Sequence, residues 1–240
     1  MMAELRRVSK PAGSGNRKSV SAGTNRSRTI PIVIGAIALL IMAGWFLRPS
    51  PYSRVTNLES GGSSVIAFGD SLTSGYGASA GEDYPSRLST LSGIPIVNAG
   101  RSGDTTSSAL SRIESDVLSG NPRLVIVGLG GNDFLGGTNI KTTEANLRTI
   151  VREIQGVGAM VVLLGFQFPS LTASYEKMYQ RVASEEGCLL IDGTLKGILT
   201  DPALRSDQIH PNARGYELMA ERMVKPFAAL LRKADAKRGG

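Results

Sequence analysis

A single histidine, His210, stands in the 240-residue chain, in the stretch DQIHPNARGY, three residues after Asp207. A serine hydroxyl is a weak nucleophile until a base takes its proton, and at neutral pH that base is usually an imidazole. The imidazole needs a partner on its other nitrogen, to fix the tautomer and support the charged form. Asp207 can reach that nitrogen from one turn of chain. A hydroxyl is available from Ser71, in GDSLTSGYG. Attack on an acyl carbonyl creates an oxyanion, which calls for N–H donors held in place. Gly103 in NAGRSGDTT and Asn132 in GLGGNDF are suitable donors, the first through its backbone and the second through its side-chain amide, and the Ser71 N–H is a third. Each residue also has a plainer reading. His210 suits a turn before the last helix, Asp104 a helix N-cap, and the glycines tight βα turns.

These residues can meet only if separate elements carry them to one place. From residue 64 onward, short apolar runs alternate with longer amphipathic ones. SVIAF (64–68), IPIVNA (94–99), RLVIVGL (123–129), AMVVLLGF (159–166) and CLLID (188–192) read as buried strands, because strands covered on both faces are apolar throughout. Between them, Leu110, Ile113 and Val117 mark one helical face, and Leu147, Ile150, Val151 and Ile154 another. Met219, Met223, Phe227 and Leu230 mark a long last helix. Strand–helix alternation predicts a parallel sheet covered on both sides, and in such sheets active groups collect just past the C-terminal strand ends. Ser71, Gly103 and Asn132 each follow a predicted strand closely, and Asp207 and His210 follow the fifth.

Composition removes several other classes. The formal charge of +7 suggests nucleic acid, yet residues 1–28 hold seven Lys/Arg against Glu4, and the remaining chain holds 20 basic and 19 acidic groups. The main domain is thus nearly neutral, with no basic stripe for a nucleic acid. One cysteine, Cys188, rules out an internal disulfide, and its setting in GCLLID reads as a small buried hydrophobe. One His and one Cys make a zinc site of nitrogen and sulfur ligands a poor reading. Thr29–Leu47 is an uncharged run of 19 residues. As a helix it would span roughly 28 Å, close to a bilayer's hydrocarbon thickness. It is read as an uncleaved signal anchor, since it is longer than the usual signal-peptide core and lacks a clean A-x-A site, with a cleaved signal peptide as the alternative. The basic, disordered segment 1–28 then stays cytoplasmic, residues 48–63 form a linker, and the domain 64–240 lies on the periplasmic or extracytoplasmic side.

The four blocks AFGDSLTSGYG, NAGRSGDTT, GGND and DQIHPNARGY resemble, in order, the signature blocks of the SGNH (GDSL) hydrolases, over residues 64–231. They are most similar to the bacterial multifunctional esterase, thioesterase and lysophospholipase branch. The resemblance implies a flavodoxin-like three-layer α/β/α sandwich with a five-stranded parallel sheet. It implies Ser71 as nucleophile, His210 as general base and acid, and Asp207 as the residue that orients it. The oxyanion hole would be Ser71, Gly103 and Asn132, with Asp70 structural. Thr73 stands where the second glycine of a G-x-S-x-G elbow would be, which excludes that pattern. After the fourth strand, GFQFPSLTASYEKMYQ sits where relatives carry a substrate-covering loop, and Phe166, Phe168 and Leu171 either line an acyl site or pack. The expected activity is hydrolysis of carboxylic esters, thioesters or lysophospholipids by a monomer, without metal or organic cofactor. The alternatives are a carbohydrate or peptidoglycan O-acetyl esterase using the same residues, and a membrane-tethered binding module that lost turnover.

Overall fold

All five apolar runs form strands. The computed structural model describes residues 50–166 and 173–239. The strands are β1 (Ser64–Gly69), β2 (Val97–Gly100), β3 (Pro122–Gly128), β4 (Met160–Leu164) and β5 (Leu189–Ile191). They pair in parallel in the order β2-β1-β3-β4-β5, the flavodoxin-like order of a doubly wound sheet. Every residue of β4 and nearly every residue of β1 and β3 is buried, as a sheet with helices on both faces requires. The predicted membrane span at 29–47 lies outside the described residues, among which no helix is long and apolar enough to cross a membrane.

Two strand-level expectations shift. β2 is an edge strand of four residues, and Val97 is exposed. The run Ile94–Pro95–Ile96 stays outside it, consistent with Pro95, which has no N–H to give a ladder.

The helices are α1 (Ser71–Ser74), α2 (Tyr84–Ser92), α3 (Thr106–Leu110), α4 (Ile113–Asp116), α5 (Gly131–Leu135), α6 (Ile140–Gly156), α7 (Ala173–Glu185) and α8 (Ala213–Arg238). α2 packs on α8, whereas α6 packs on α3 and α7. The stripes read from the sequence face the core: Leu147, Ile150, Val151 and Ile154 of α6, and Met219, Met223, Phe227 and Leu230 of α8, are all fully buried. The stripe Leu110–Ile113–Val117 does not form one helix. The chain breaks at Ser111–Arg112 into α3 and α4, and the Arg112 side chain turns inward.

Residues 50–63, expected to be a linker, are bound to the domain. Val55 and Leu58 join the hydrophobic core. Asn57 takes a left-handed conformation (φ 62), and its amide donates to the Gln155 carbonyl at 2.8 Å and the Ala159 carbonyl at 3.0 Å. Thr56 N–H donates to Gly187 O, and Ser63 N–H to Asn121 O. These acceptors lie just before β3, β4 and β5. The segment is therefore a strap under the N-terminal ends of the strands, opposite the edge where Ser71 emerges.

Candidate active site

The site begins with glycines at the ends of three neighbouring strands. Gly69 is in register with Gly100 on one side and with Gly128 on the other. A Cβ on Gly69 would lie 2.1 Å from the Thr73 hydroxyl, and one on Gly100 would lie 2.2 Å from the Ser74 nitrogen. Only bare backbone lets the α1 turn sit so close to the sheet. Asp70 caps this turn by accepting from Leu72 N–H at 3.0 Å, and its own N–H donates to Gly128 O. Ser71 is thereby held directly beyond β1, beside the point where strand order reverses between β1 and β3. That crevice is where doubly wound sheets bind ligands.

Ser71 and His210 are 139 residues apart, yet the Ser71 Oγ lies 2.9 Å from the His210 Nε2. On the other side of the ring, Nδ1 lies 2.8 Å from Asp207 Oδ2. The second Asp207 oxygen accepts from the backbone N–H groups of Ile209 and His210, each at 2.8 Å. With the carboxylate fixed in this way, Nδ1 carries the proton toward Asp207 and Nε2 accepts from the serine hydroxyl. Burial pushes the Asp207 pKa up, but the hydrogen bonds from the His210 ring and from the two backbone N–H groups outweigh it. The carboxyl stays below its ordinary range and is ionised at neutral pH. The Tyr76 ring lies against the imidazole, centroids 4.5 Å apart. Its backbone is pinned by the Tyr216 hydroxyl, which donates to Tyr76 O at 2.8 Å. The segment carrying His210 closes on itself through Ser206 N–H to His210 O, and Asn212 then caps α8.

The Gly103 and Asn132 loops are tied to this turn and to each other. Arg101 N–H donates to Gly69 O at 2.9 Å. Gly103 has φ +86, a conformation that favours glycine, and no acceptor takes its N–H among the described residues. The Asn132 amide donates to Asp104 O at 2.8 Å. Its nitrogen carries two hydrogens, so one fixes the orientation and the other is left for a ligand. Tyr179 of α7 holds the start of the Asn132 loop, donating to Leu129 O at 2.9 Å.

Other residues sit differently from expectation. Asp104 is not the N-cap of α3. Thr105 caps it, accepting from Ser108 N–H, and the Asp104 carboxylate instead takes the Arg112 Nε at 2.6 Å. Phe166 is buried, with its ring edge-on to Tyr179, so it packs in the core. Phe168 and Leu171 lie outside the described residues. Burial pushes the Cys188 thiol up to about 12, which leaves it inert at neutral pH. Among the described residues no cluster of three His, Cys, Asp or Glu could hold a metal ion. Three residues were missed by sequence reasoning. Tyr76 and Tyr179 carry no signal beyond their type, and Arg112 sits with Glu114 and Asp116 between the apolar positions of the stripe, where a charge reads as solvent-facing.

A hydroxyl, an imidazole and a carboxylate in one hydrogen-bonded line, beside free N–H donors at a switch point, have the geometry of a nucleophilic hydrolase on a doubly wound sheet. Residues 67–218 match the GDSL-like Lipase/Acylhydrolase family, and the chain belongs to it as a carboxylic ester hydrolase. Among its relatives is the Thioesterase 1/protease 1/lysophospholipase L1 of Escherichia coli (strain K12), 30% identical over 175 residues, covering 70% of this chain and 84% of the relative. Esterase TesA of Pseudomonas aeruginosa is 27% identical, covering 70% and 89%. Among solved structures, the psychrotrophic esterase EstA from Pseudoalteromonas sp. superposes with a TM-score of 0.65 at 26% identity, covering 70% of this chain and 98% of that one. The SGNH-hydrolase family esterase AlinE4 superposes with a TM-score of 0.55 at 36% identity, covering 71% and 98%.

Proposed function

We propose that the chain cleaves acyl esters and thioesters, lysophospholipids among them, in two steps through an acyl-enzyme on Ser71. Ser71 attacks the acyl carbonyl while His210 Nε2 takes its proton, and Asp207 stabilises the imidazolium that results. The oxyanion rests on the N–H groups of Ser71 and Gly103 and on the free amide hydrogen of Asn132. His210 then protonates the departing alcohol or thiol, and water, deprotonated by the same ring, releases the acid. The observation that carries this reading is the unbroken line of contacts from Ser71 through His210 to Asp207, 2.9 and 2.8 Å long, built on the chain's one histidine.

The substrate class is drawn from relatives named as thioesterase, lysophospholipase and arylesterase. One further relative, 26% identical over 157 residues, is an acetylxylan esterase of Geobacillus stearothermophilus, and it keeps a second reading open, removal of acetyl groups from carbohydrate. Rates on acetyl and octanoyl nitrophenyl esters separate the two. Longer-chain preference supports the first, and strict acetyl preference the second. Ser71→Ala tests both: turnover and labelling by a fluorophosphonate are lost with the fold intact. A variant that still turned over at the normal rate would refute the assignment.

The same proposal keeps residues 29–47 as a membrane anchor, with the catalytic unit on the extracytoplasmic side. Its support is the charge-free 19-residue run after a basic head. Fractionation tests it: the chain should stay with membranes after high-salt washing, and a mature N-terminus beyond residue 47 would instead mean cleavage.

A further inference from the structure

Arg112 is the one buried cation among the described residues, with 5% of its surface exposed, against four buried aspartates. Its guanidinium lies 4.4 Å from the centre of the Phe68 ring. Nε donates to Asp104 Oδ2 at 2.6 Å, Nη2 to Gly69 O at 3.0 Å, and Nη1 to Ala99 O at 3.0 Å and Asp116 Oδ2 at 2.8 Å. The two carbonyls belong to the C-terminal ends of β1 and β2. Gly69 is two residues before Ser71. Asp104 directly follows Gly103, and its carbonyl is the acceptor that orients Asn132.

We propose that Arg112 is a positioning residue for the oxyanion hole, setting the Gly103 N–H and the Asn132 amide relative to the Ser71 turn. This rests on the assignment of Gly103 and Asn132 as oxyanion donors. A planar guanidinium presents its donors in a fixed fork, so contacts to Gly69 O, Ala99 O and Asp104 fix the ends of β1 and β2 and the loop that follows β2 against one rigid body. It touches no substrate. Its effect passes through Asp104, whose side chain it holds and whose carbonyl holds Asn132. The break between α3 and α4 follows from the same arrangement, because an unbroken helix would not turn position 112 inward. A lysine would bring one ammonium and three donors on a flexible stem, and could not serve four acceptors spread over this plane.

The test is a double-mutant cycle of Arg112→Lys with Asn132→Ala, on the full chain in detergent with a soluble nitrophenyl ester. In the wild-type background, Arg112→Lys should lower kcat about 10- to 100-fold, the effect of donors displaced by a fraction of an ångström to 1 Å, with KM within about twofold. In the Asn132→Ala background it should lower kcat by no more than about a third of that factor, because one of the two donors it positions is already gone and only its effect on the Gly103 N–H remains. An equal loss in both backgrounds, a rise in KM matching the fall in kcat, or full activity of Arg112→Lys would each overturn the proposal. If Asn132→Ala alone costs nothing, the oxyanion assignment falls and the role of Arg112 falls with it. Should Arg112→Lys fail to fold, Asp104→Asn takes its place in the cycle: it keeps the carbonyl that holds Asn132 and weakens the Arg112 contact, and the same outcomes decide.

Discussion

Replacing Asp70 by Asn should make the protein more stable above neutral pH and change how its stability depends on pH. The Asp70 carboxyl is fully enclosed beneath the Ser71 turn. Burial is the largest cause that pushes its pKa from 3.8 up to about 7. The Leu72 N–H works against this, and the neighbouring carboxylates of Asp104 and Asp133 add to it. Because the folded pKa is the higher one, the folded chain binds the proton more tightly than the unfolded chain. Stability is therefore greatest below pH 4 as far as this group is concerned, and falls as pH rises toward 7. The gap from 3.8 to about 7, at about 1.4 kcal/mol per pH unit, gives a full penalty of about 4 kcal/mol. Between pH 5 and pH 8 the part that develops is about 2.5 kcal/mol. Asparagine keeps an oxygen for the Leu72 N–H and carries no charge, so the penalty disappears. Urea unfolding of both proteins across this range reads it directly: the difference in unfolding free energy should widen by about 2.5 kcal/mol toward alkaline pH. Glu144, Glu186 and Asp116 lie below their ordinary range. Their contributions change only in acid and are common to both proteins. A difference that stays flat, or narrows with rising pH, would show that Asp70 is ionised without cost and refute the reasoning.

Asp207→Asn should lower kcat about 10³- to 10⁴-fold with little change in KM, since a neutral amide cannot stabilise the imidazolium and lets the ring take the wrong tautomer. Steady-state kinetics on a nitrophenyl ester check it, and a loss below tenfold would contradict it. Asn57→Ala removes two hydrogen bonds from the strap and forces alanine to φ 62, which should cost about 1–3 kcal/mol of unfolding free energy. Its kcat should be unchanged, because the strap lies at the far edge of the sheet.

The layout was legible where burial leaves a continuous mark. β1, β3 and β4 are covered on both faces, and their apolar runs could be read directly. β2 is an edge strand, so its residues carry a weaker signal, and Pro95 moved its start. Scarcity pointed to His210, since the chain offers one imidazole, and the resemblance of the four blocks to the SGNH hydrolases supplied its pairing with Ser71 and Asp207. Arg112 was hidden for the opposite reason. Periodicity says which way a side chain faces only while a helix continues, and this helix stops just before it. Its acceptor Gly69 O is 43 residues away, a distance no local pattern spans. Asp104 was misread as a cap for a related reason. Thr105 and Asp104 both suit that role by type, and only the buried guanidinium decides between them. The strap was taken for a linker because Pro, Ser and Gly dominate it. Val55 and Leu58 were two apolar residues in a polar stretch, too few to show a face.

The strap also bears on where the hydrolase can be cut to obtain it free of its first residues. A truncation beginning at Ser64 would keep every strand and every residue of the reactive line. It would also uncover the apolar floor that Val55 and Leu58 occupy, and take the strap's donors away from the Gln155, Ala159 and Gly187 carbonyls. Such a fragment should be prone to aggregate. One beginning at Ser50 carries its own base plate.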